Sequence, residues 1–490
     1  MRICNLMIFI SVLFIHAISS SAGPQVQTSD LNRRPPTAPR AQGADAFQQS
    51  LQRIGKAAGS AGVLVAALPS GEAVFESRPK DLFVPASLMK LLTSYAALKR
   101  LGPSFRFTTG VLAAEDPVEG VISGDIWIKG SGDPFFTSDS AVELAKSIRE
   151  KGIRQIRGGI FVDNSFFEPS SERVCLDSDC VGVYNPIVSA AAIDFNTVRV
   201  KITVQAKTGS VISVNSDLAQ GYVRVSGKVG RAKKAGGPVR LRSIGAAGNG
   251  QEQFELSGCA RRSCVLEFWV NAGDPAGLFA HALRTALERS GVKVLGASAK
   301  EGKTPPGART IVSYDSPPLA ELLCGLNKYS NNFMAEMLLR SLGGYAAGAP
   351  GNSDKGLAVV RSTLGQVGIP DEIAALDCGS GLSRLCRISP QTLCRLLAAA
   401  WNDDGIREDF ISSLAVNGEK GTLMRRMHKP GLMVKGKTGT LSDVIGFAGY
   451  VSGPSGKTFA VAIILNEVRD RFKARQALDS VLEQLAFSSS

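Results

Sequence analysis

A serine and a lysine that could perform nucleophilic chemistry lie three residues apart in Ser87-Leu88-Met89-Lys90. The run 86–101 predicts a helix, because it follows a proline, is rich in Leu and Ala, and ends before Gly102-Pro103. Residues three apart share one helix face, so the Ser87 hydroxyl should lie beside the Lys90 amine. A lysine kept neutral by burial can remove the serine proton, and the surrounding leucines would bury it.

The S-x-x-K pattern is weak evidence by itself, because short motifs recur by chance in a chain of 490 residues. A second copy, Ser77-Arg78-Pro79-Lys80, contains a proline that breaks the helical spacing, so only the copy at Ser87 has suitable geometry. Support for that copy must come from elsewhere in the chain.

Two further motifs follow in the second half of the chain. Ser330-Asn331-Asn332 lies between two predicted helices, and Lys437-Thr438-Gly439-Thr440 begins near the end of a predicted strand. Copies at 207–209 and 213–215 occur in the wrong order and too close together. The order S-x-x-K, S-x-N, K-T-G, each in its expected structural context, is typical of serine enzymes that form an acyl-enzyme.

The length of the chain predicts more than one domain, and its N-terminal segment predicts export. Residues 1–22 resemble a cleaved signal peptide, with an early arginine, a short apolar run and small residues at the end, and 23–43 resemble a flexible leader. We therefore expect a periplasmic location. Eight of the nine cysteines lie beyond the signal, and an oxidising compartment favours disulfides over a zinc site. Cys175 with Cys180, and Cys259 with Cys264, could each close a small loop.

The formal net charge of +13 bears on the partners that we expect. Nucleic acid is a poor candidate, because no basic run is interleaved with aromatic residues. An anionic wall polymer or membrane surface fits the charge better, as a peripheral contact.

The pattern of predicted helices and strands divides the chain into three segments. A predicted hairpin and the Ser87 helix occupy 44–110, short strands dominate 111–309, and helices followed by a strand-strand-strand-helix ending occupy 310–490. We expect an α/β (α+β) catalytic domain, formed by 44–110 and 310–490, that is split by an inserted β-rich domain or domains at 111–309. On the last helix, four apolar residues share one side and predict a core face: Leu478, Val481, Leu482 and Leu485.

With its three ordered motifs and its long insertion, the chain resembles the class C low-molecular-weight penicillin-binding proteins, which are D-alanyl-D-alanine carboxypeptidases and endopeptidases with a penicillin-binding/serine β-lactamase-like transpeptidase domain. Further stretches match that family over nearly the whole mature chain: 130–134, 184–186, 379–384, 421–423 and 446–450. The resemblance implies peptidoglycan peptides as substrates, β-lactams as covalent inhibitors, and neither cofactor nor metal.

The resemblance also implies roles for residues. Ser87 would attack the carbonyl between two D-alanines, Lys90 would take its proton, and Ser330 would relay a proton to the leaving amine. Asn332 would hold a substrate amide. Lys437 would meet the terminal carboxylate and keep Lys90 neutral by repulsion.

The same resemblance implies how the substrate is held around these groups. Thr438 would share the carboxylate, Gly439 would allow close approach to the strand, and the N–H groups of Ser87 and Thr440 would form an oxyanion hole. Three further residues could line the pocket for the peptide side chain, although a structural role fits them equally well: Arg384, Leu441 and Ser442.

Other reaction classes fit less well. A Ser-His-Asp hydrolase needs a histidine, and His281 and His428 fall in surface contexts; no H-E-x-x-H zinc motif occurs. The P-loop-like stretch 453–458 lacks the first glycine. A serine β-lactamase and a non-catalytic wall-binding protein share the fold and remain alternatives; the insertion argues against the first, and the three intact motifs argue against the second.

Overall fold

The computed structural model describes residues 39–169, 183–205, 210–215, 217–231, 239–246, 251–260, 262–297, 300–370 and 374–488. The chain divides into two compact units. The first contains Met1–Ser104, Leu319–Asn331 and Val360–Ser490, and the second contains Phe105–Pro318 and Asn332–Val359. The predicted signal peptide, most of the predicted leader, Cys175 and Cys180 lie outside the described residues.

The first unit is built on a six-stranded antiparallel sheet. In spatial order its strands are Ala73–Ser77, Ala58–Ala67, Thr458–Val468, Ile445–Ser452, Met433–Thr440 and Ala415–Val416. A two-stranded ribbon pairs Ala374–Ala375 with Arg387–Ile388. The predicted hairpin and the three predicted C-terminal strands are confirmed.

Helices flank this sheet. They are Pro39–Ala57, Met89–Leu101 after the 3-10 turn Ala86–Leu88, Leu319–Tyr329, Pro390–Trp401, Arg407–Ser412 and Arg471–Ser488. The first begins inside the segment predicted to be a flexible leader. The Ser389 side chain accepts a hydrogen bond from the Thr392 N–H and Pro390 occupies the first turn, which fixes the start of its helix.

One face of the sheet and the last helix form a hydrophobic core. Alternate residues of the central strands, such as Val461, Ile463 and Leu465, are buried in one cluster. The four apolar residues predicted on the last helix belong to the same cluster, which confirms that this face packs inside the protein.

The second unit is rich in strands, as the sequence pattern predicted. A five-stranded sheet has the order Lys300–Glu301, Ile160–Asp163, Ile126–Lys129, Thr108–Ala113 and Arg309–Asp315. One three-stranded sheet contains Cys264–Asn271, Thr197–Gln205 and Ser210–Asn215, and another contains Val223–Gly227, Glu252–Ser257 and Arg240–Ala246. A third contains Lys293–Val294, Gln155–Ile156 and Val121–Ile122, and a two-stranded ribbon pairs Gly230–Arg231 with Cys259–Ala260.

The helices of this second unit are Ser138–Glu150, Pro275–Arg289 and Asn332–Ala347, and the helix Ser353–Gly365 crosses the division between the units. Two 3-10 turns, Asp194–Asn196 and Asp217–Ala219, complete its regular structure. The unit extends beyond the 111–309 expected from sequence, because a helical segment near the second motif packs with it.

The predicted disulfide between Cys259 and Cys264 is wrong. Both cysteines are free. Cys259 pairs with Gly230 in a two-stranded ribbon, whereas Cys264 begins a strand of a different sheet and pairs with Val204, so the backbone directs the two residues to different neighbours. Among the described helices, none combines the length and the apolar character that a membrane crossing requires.

Candidate active site

The structure brings Ser87 and Lys90 together at the start of a helix, as predicted. Ser87 is the middle residue of the 3-10 turn Ala86–Leu88, and Lys90 lies in the first turn of the α-helix that follows. Lys90 Nζ lies 3.0 Å from Ser87 Oγ. Lys90 is fully buried, whereas Ser87 is partly exposed, so the hydroxyl can meet a substrate while the amine is shielded from water.

A loop that sequence reasoning did not assign to the nucleophile completes the surroundings of Lys90. The Lys90 amine donates a hydrogen bond to the carbonyl of Ser380 at 2.7 Å, and Thr93 Oγ1 donates to the carbonyl of Gly379 at 3.0 Å. Gly381 has φ of +79°, and a Cβ there would lie 1.8 Å from the carbonyl oxygen of Ala86. Only glycine can occupy this position, because the loop touches the backbone beside the nucleophile.

Ser330 and Lys437 form a second pair. Lys437 Nζ donates to Ser330 Oγ at 2.8 Å and to the carbonyl of Thr438 at 2.8 Å. Ser330 follows the end of the helix Leu319–Tyr329 and has φ of 60°, a left-handed conformation that is uncommon outside glycine. This turn directs the hydroxyl of the second motif to the lysine of the third.

Burial determines the protonation chemistry of the second pair. Lys437 is fully buried, and desolvation followed by the charge of Lys90 holds the pKa of Lys437 well below its ordinary value. The charge of Lys90 therefore acts on the pKa of Lys437, whereas the predicted effect of Lys437 on Lys90 stays a prediction. Two buried amines that repel each other favour a state in which only one carries a proton.

Close packing explains the glycine of the K-T-G motif. A Cβ on Gly439 would lie 2.8 Å from the carbonyl of Pro85 and 3.3 Å from Ala86 Cβ. The strand Met433–Thr440 therefore lies against the turn that carries Ser87. Thr438 is largely buried and Thr440 is exposed at the end of this strand.

The structure places the remaining predicted residues as follows. Asn332 begins a helix of the second unit and donates to the carbonyl of Tyr184 at 3.2 Å. Arg384 donates to Ser442 Oγ at 2.6 Å and to Asp443 Oδ1 at 2.8 Å. Leu441 is buried in the tight turn between two strands.

Two asparagines that the sequence analysis did not identify form hydrogen bonds with the nucleophile helix and with the segment before it. Asn327, with no exposed surface, donates to Ser94 Oγ at 3.1 Å and to Ser413 Oγ at 3.0 Å. Asn466 accepts from the N–H of Val84 at 2.8 Å and donates to its carbonyl at 3.1 Å. No local pattern marks these residues, because their partners are distant in sequence.

The arrangement can perform acyl transfer. It provides a partly exposed hydroxyl beside a buried amine, a second lysine–serine pair, and a strand end close to both. In the described ranges, no group of three or more His, Cys, Asp or Glu residues could hold a metal ion.

Comparison with known proteins identifies the family. The family model of the "D-Ala-D-Ala carboxypeptidase 3 (S13) family" matches residues 44–485. A D-alanyl-D-alanine carboxypeptidase of Actinomadura sp. (strain R39) is 32% identical over 431 residues, which cover 83% of this chain and 77% of the relative.

Solved structures share the fold. Penicillin binding protein 4 (dacB) from Haemophilus influenzae superposes with a TM-score of 0.76 at 23% identity, over 90% of this chain and 98% of that chain. The same protein complexed with a novel β-lactam gives a TM-score of 0.72 at 22% identity, over 90% of this chain and 98% of that chain. The expected penicillin-binding fold is confirmed. The chain belongs to the D-Ala-D-Ala carboxypeptidase 3 (S13) family, and its activity is that of a D-Ala-D-Ala carboxypeptidase, a hydrolase.

Proposed function

We propose that Ser87 is the nucleophile of this carboxypeptidase and that it forms an acyl-enzyme with peptidoglycan peptides ending in D-Ala-D-Ala. The observation that carries the proposal is the 3.0 Å distance between Ser87 Oγ and the amine of the fully buried Lys90. A general base must lie within hydrogen-bond reach of the proton that it removes, and this pair meets that requirement without any rearrangement.

Proton transfer in this proposal uses both lysines. As Ser87 Oγ bonds to the carbonyl carbon, its proton passes to Lys90 Nζ. When the C–N bond breaks, Ser330 passes its proton to the leaving amine of D-alanine and takes one in return from Lys437, whose amine donates to Ser330 Oγ at 2.8 Å. Water then attacks the ester carbonyl, which releases the shortened peptide and restores the Ser87 hydroxyl. The substrate carboxylate, binding at Lys437 and Thr438, would favour the charged form of Lys437, and repulsion would then favour neutral Lys90.

Substrate contacts follow from the strand end and the neighbouring residues. The N–H groups of Ser87 and Thr440 would stabilise the tetrahedral oxyanion, and Gly439 would bring them near each other, because its missing side chain lets the strand lie against Pro85 and Ala86. Asn332 would hold a peptide amide. Arg384, Leu441 and Ser442 are proposed only as supports of the pocket; the bonds from Arg384 to Ser442 and Asp443 favour that supporting role.

The test is the intact mass of purified protein after brief incubation with benzylpenicillin. We expect one stable adduct on the wild type and none on Ser87→Ala. A matched control is Ser77→Ala, which alters the decoy motif and should keep the adduct. An adduct on Ser87→Ala would overturn the proposal, and an adduct that disappears with drug turnover would favour a serine β-lactamase. No adduct on folded wild type would favour a non-catalytic wall-binding protein.

We also propose that the protein is exported to the periplasm and that the same site cleaves D-Ala cross-links. Both reactions break a bond on the carbonyl side of D-alanine and differ only in the leaving group. Digestion of purified cross-linked muropeptides, with release of monomers by wild type and none by Ser87→Ala, tests the second activity. Release of D-alanine without monomers would restrict the enzyme to carboxypeptidase chemistry.

A further inference from the structure

Two cysteines outside the three motifs lie beside the loop that contacts Lys90. Cys378 and Cys386 are buried and both are free thiols in this structure, with their sulfur atoms 3.6 Å apart. A disulfide needs about 2.0 Å between sulfurs, so the two sulfur atoms must approach by about 1.5 Å to form one. The paired strands Ala374–Ala375 and Arg387–Ile388 already hold the ends of this loop together.

The sulfur of Cys378 is in direct contact with the residues that surround the nucleophile. The N–H of Gly381 donates to Cys378 Sγ at 3.2 Å. On the other side of the same short loop, the carbonyl of Ser380 accepts from Lys90 and that of Gly379 accepts from Thr93. A covalent bond between the two cysteines would therefore restrain the peptide groups that hold the catalytic lysine.

We propose that Cys378 and Cys386 form a disulfide in the exported protein, and that this bond positions the 379–385 loop against Lys90. The effect on activity rests on the role of Lys90 proposed above, whereas the bond itself does not. Both cysteines act here as positioning residues, because both are buried and act on Lys90 through the loop.

Thiol–disulfide exchange with an external disulfide, either small-molecule or protein, accounts for the chemistry. The Cys386 thiolate attacks one sulfur of the external disulfide and releases a first thiolate. Cys378 then attacks Cys386 Sγ in the mixed disulfide and releases a second. The two cysteines lose two electrons in total, the external disulfide is reduced to two thiols, and the two cysteine protons end on those thiols.

In the closed loop the two thiols already interact. A hydrogen bond from Cys378 lowers the pKa of the Cys386 thiol below its ordinary value, against the opposing effect of burial. Because both sulfurs are buried, exchange must take place while the loop is open, during folding in an oxidising compartment.

The first measurement is peptide mapping of protein purified from an oxidising compartment, with thiols alkylated before unfolding and no reductant present. We expect a cross-linked species that joins the peptides containing Cys378 and Cys386. Alkylated thiol at both positions would overturn the proposal, whatever the activity of the sample.

The second measurement is the rate of benzylpenicillin acylation across pH, for oxidised wild type, wild type after reduction, and the double variant C378S/C386S. We expect about a tenfold slower maximum rate without the bond, since small misplacements of catalytic groups are costly. The acid limb should move to lower pH, because the Ser380 carbonyl favours the charged form of Lys90.

The control Cys324→Ser changes a thiol away from this loop and should leave both the rate and the acid limb unchanged. Equal rates and equal acid limbs in oxidised and reduced wild type would overturn the positioning role, even if the cross-linked peptide were found. Reduced wild type keeps the test decisive if the double variant does not fold. Absence of acylation in every sample would instead refute the proposed nucleophile and leave the peptide map to decide the disulfide.

Discussion

The effect of replacing Asp133 on the free energy of unfolding should reverse its sign between low and high pH. This carboxyl is only 2% exposed; its Oδ1 accepts from the N–H of Phe135 at 2.8 Å, and its Oδ2 has no hydrogen-bond partner in the part of the chain that the structure describes. Burial raises the pKa of Asp133 from 3.8 to about 7, despite the opposing hydrogen bond from Phe135. Between these values the folded state binds more protons than the unfolded state, so stability falls as pH rises.

The size of the effect follows from the shift. About three pKa units at about 1.4 kcal/mol each give about 4 kcal/mol of destabilisation above pH 7 that is almost absent near pH 4. In Asp133→Asn, the oxygen can still accept from Phe135, but the buried amide N–H groups lack a partner, at a cost of about 1–3 kcal/mol at any pH. We therefore expect the variant to be less stable than wild type at pH 4 and more stable at pH 8, with the difference shifting by about 4 kcal/mol.

The assay is urea unfolding of both proteins at pH 4 and pH 8, in a Trp401→Phe background. The remaining tryptophans, Trp127 and Trp269, both belong to the second unit and report its unfolding. A difference between Asp133→Asn and wild type that does not change with pH would refute the reasoning.

Asp163 provides a matched control, because it is another carboxyl with 2% exposure in the same unit. Burial would raise its pKa, but hydrogen bonds from Ser165 and Thr304 outweigh burial and bring the pKa below the ordinary value. The stability that it supplies is fully present above pH 3.8 and is lost only in stronger acid. Asp163→Asn should therefore destabilise the unit to a similar extent at pH 4 and pH 8.

Three further substitutions test the surroundings of the nucleophile. Gly381→Ala should destabilise the first unit by about 2 kcal/mol or more, measured by thermal unfolding, because the residue has positive φ and no space for a Cβ. Asn327→Ala should cost about 1–3 kcal/mol in urea unfolding, because two buried serine hydroxyls lose their donor. Asn466→Ala should slow benzylpenicillin acylation about tenfold by releasing the backbone of Val84.

Two controls accompany these substitutions. Gly307→Ala has a similar φ of +83° but open space around the added Cβ, so it should cost only about 1 kcal/mol. Asn402→Ala removes an exposed hydrogen bond to the Pro69 carbonyl and should change stability by about 0.5 kcal/mol or less. Equal losses of stability in Gly381→Ala and Gly307→Ala, or in Asn327→Ala and Asn402→Ala, would contradict the contacts described. An unchanged acylation rate in Asn466→Ala would contradict them as well.

Spacing within one helix was enough to predict the contact between Ser87 and Lys90, since helical geometry alone brings residues three apart together. Motif order and family resemblance predicted Ser330 and Lys437 as residues of one site, but not the contact between them, because the two residues are distant in sequence. The left-handed turn at Ser330 that makes this contact has no signature in residue type.

Contacts made by main-chain groups could not be predicted. The partner of Lys90 in the 379–385 loop is a carbonyl, which every residue possesses, so residue type gave no indication of it. Cys259 and Cys264 show the opposite error. Their short spacing suggested a bond, but strand pairing sent the two residues to different sheets. The tertiary pairing of strands decided that outcome and is not encoded locally.

The discontinuity of the first unit has a consequence for how the enzyme is made. The strand Ala58–Ala67 has Thr458–Val468 as its neighbour, and Lys437 belongs to the strand two places further along the same sheet. Ser87 is synthesised early, but the sheet that supports it cannot close until almost the entire chain has emerged from the ribosome. Such long-range pairing folds slowly, so partly synthesised chains should be catalytically silent. Activity would then arise only after synthesis is complete.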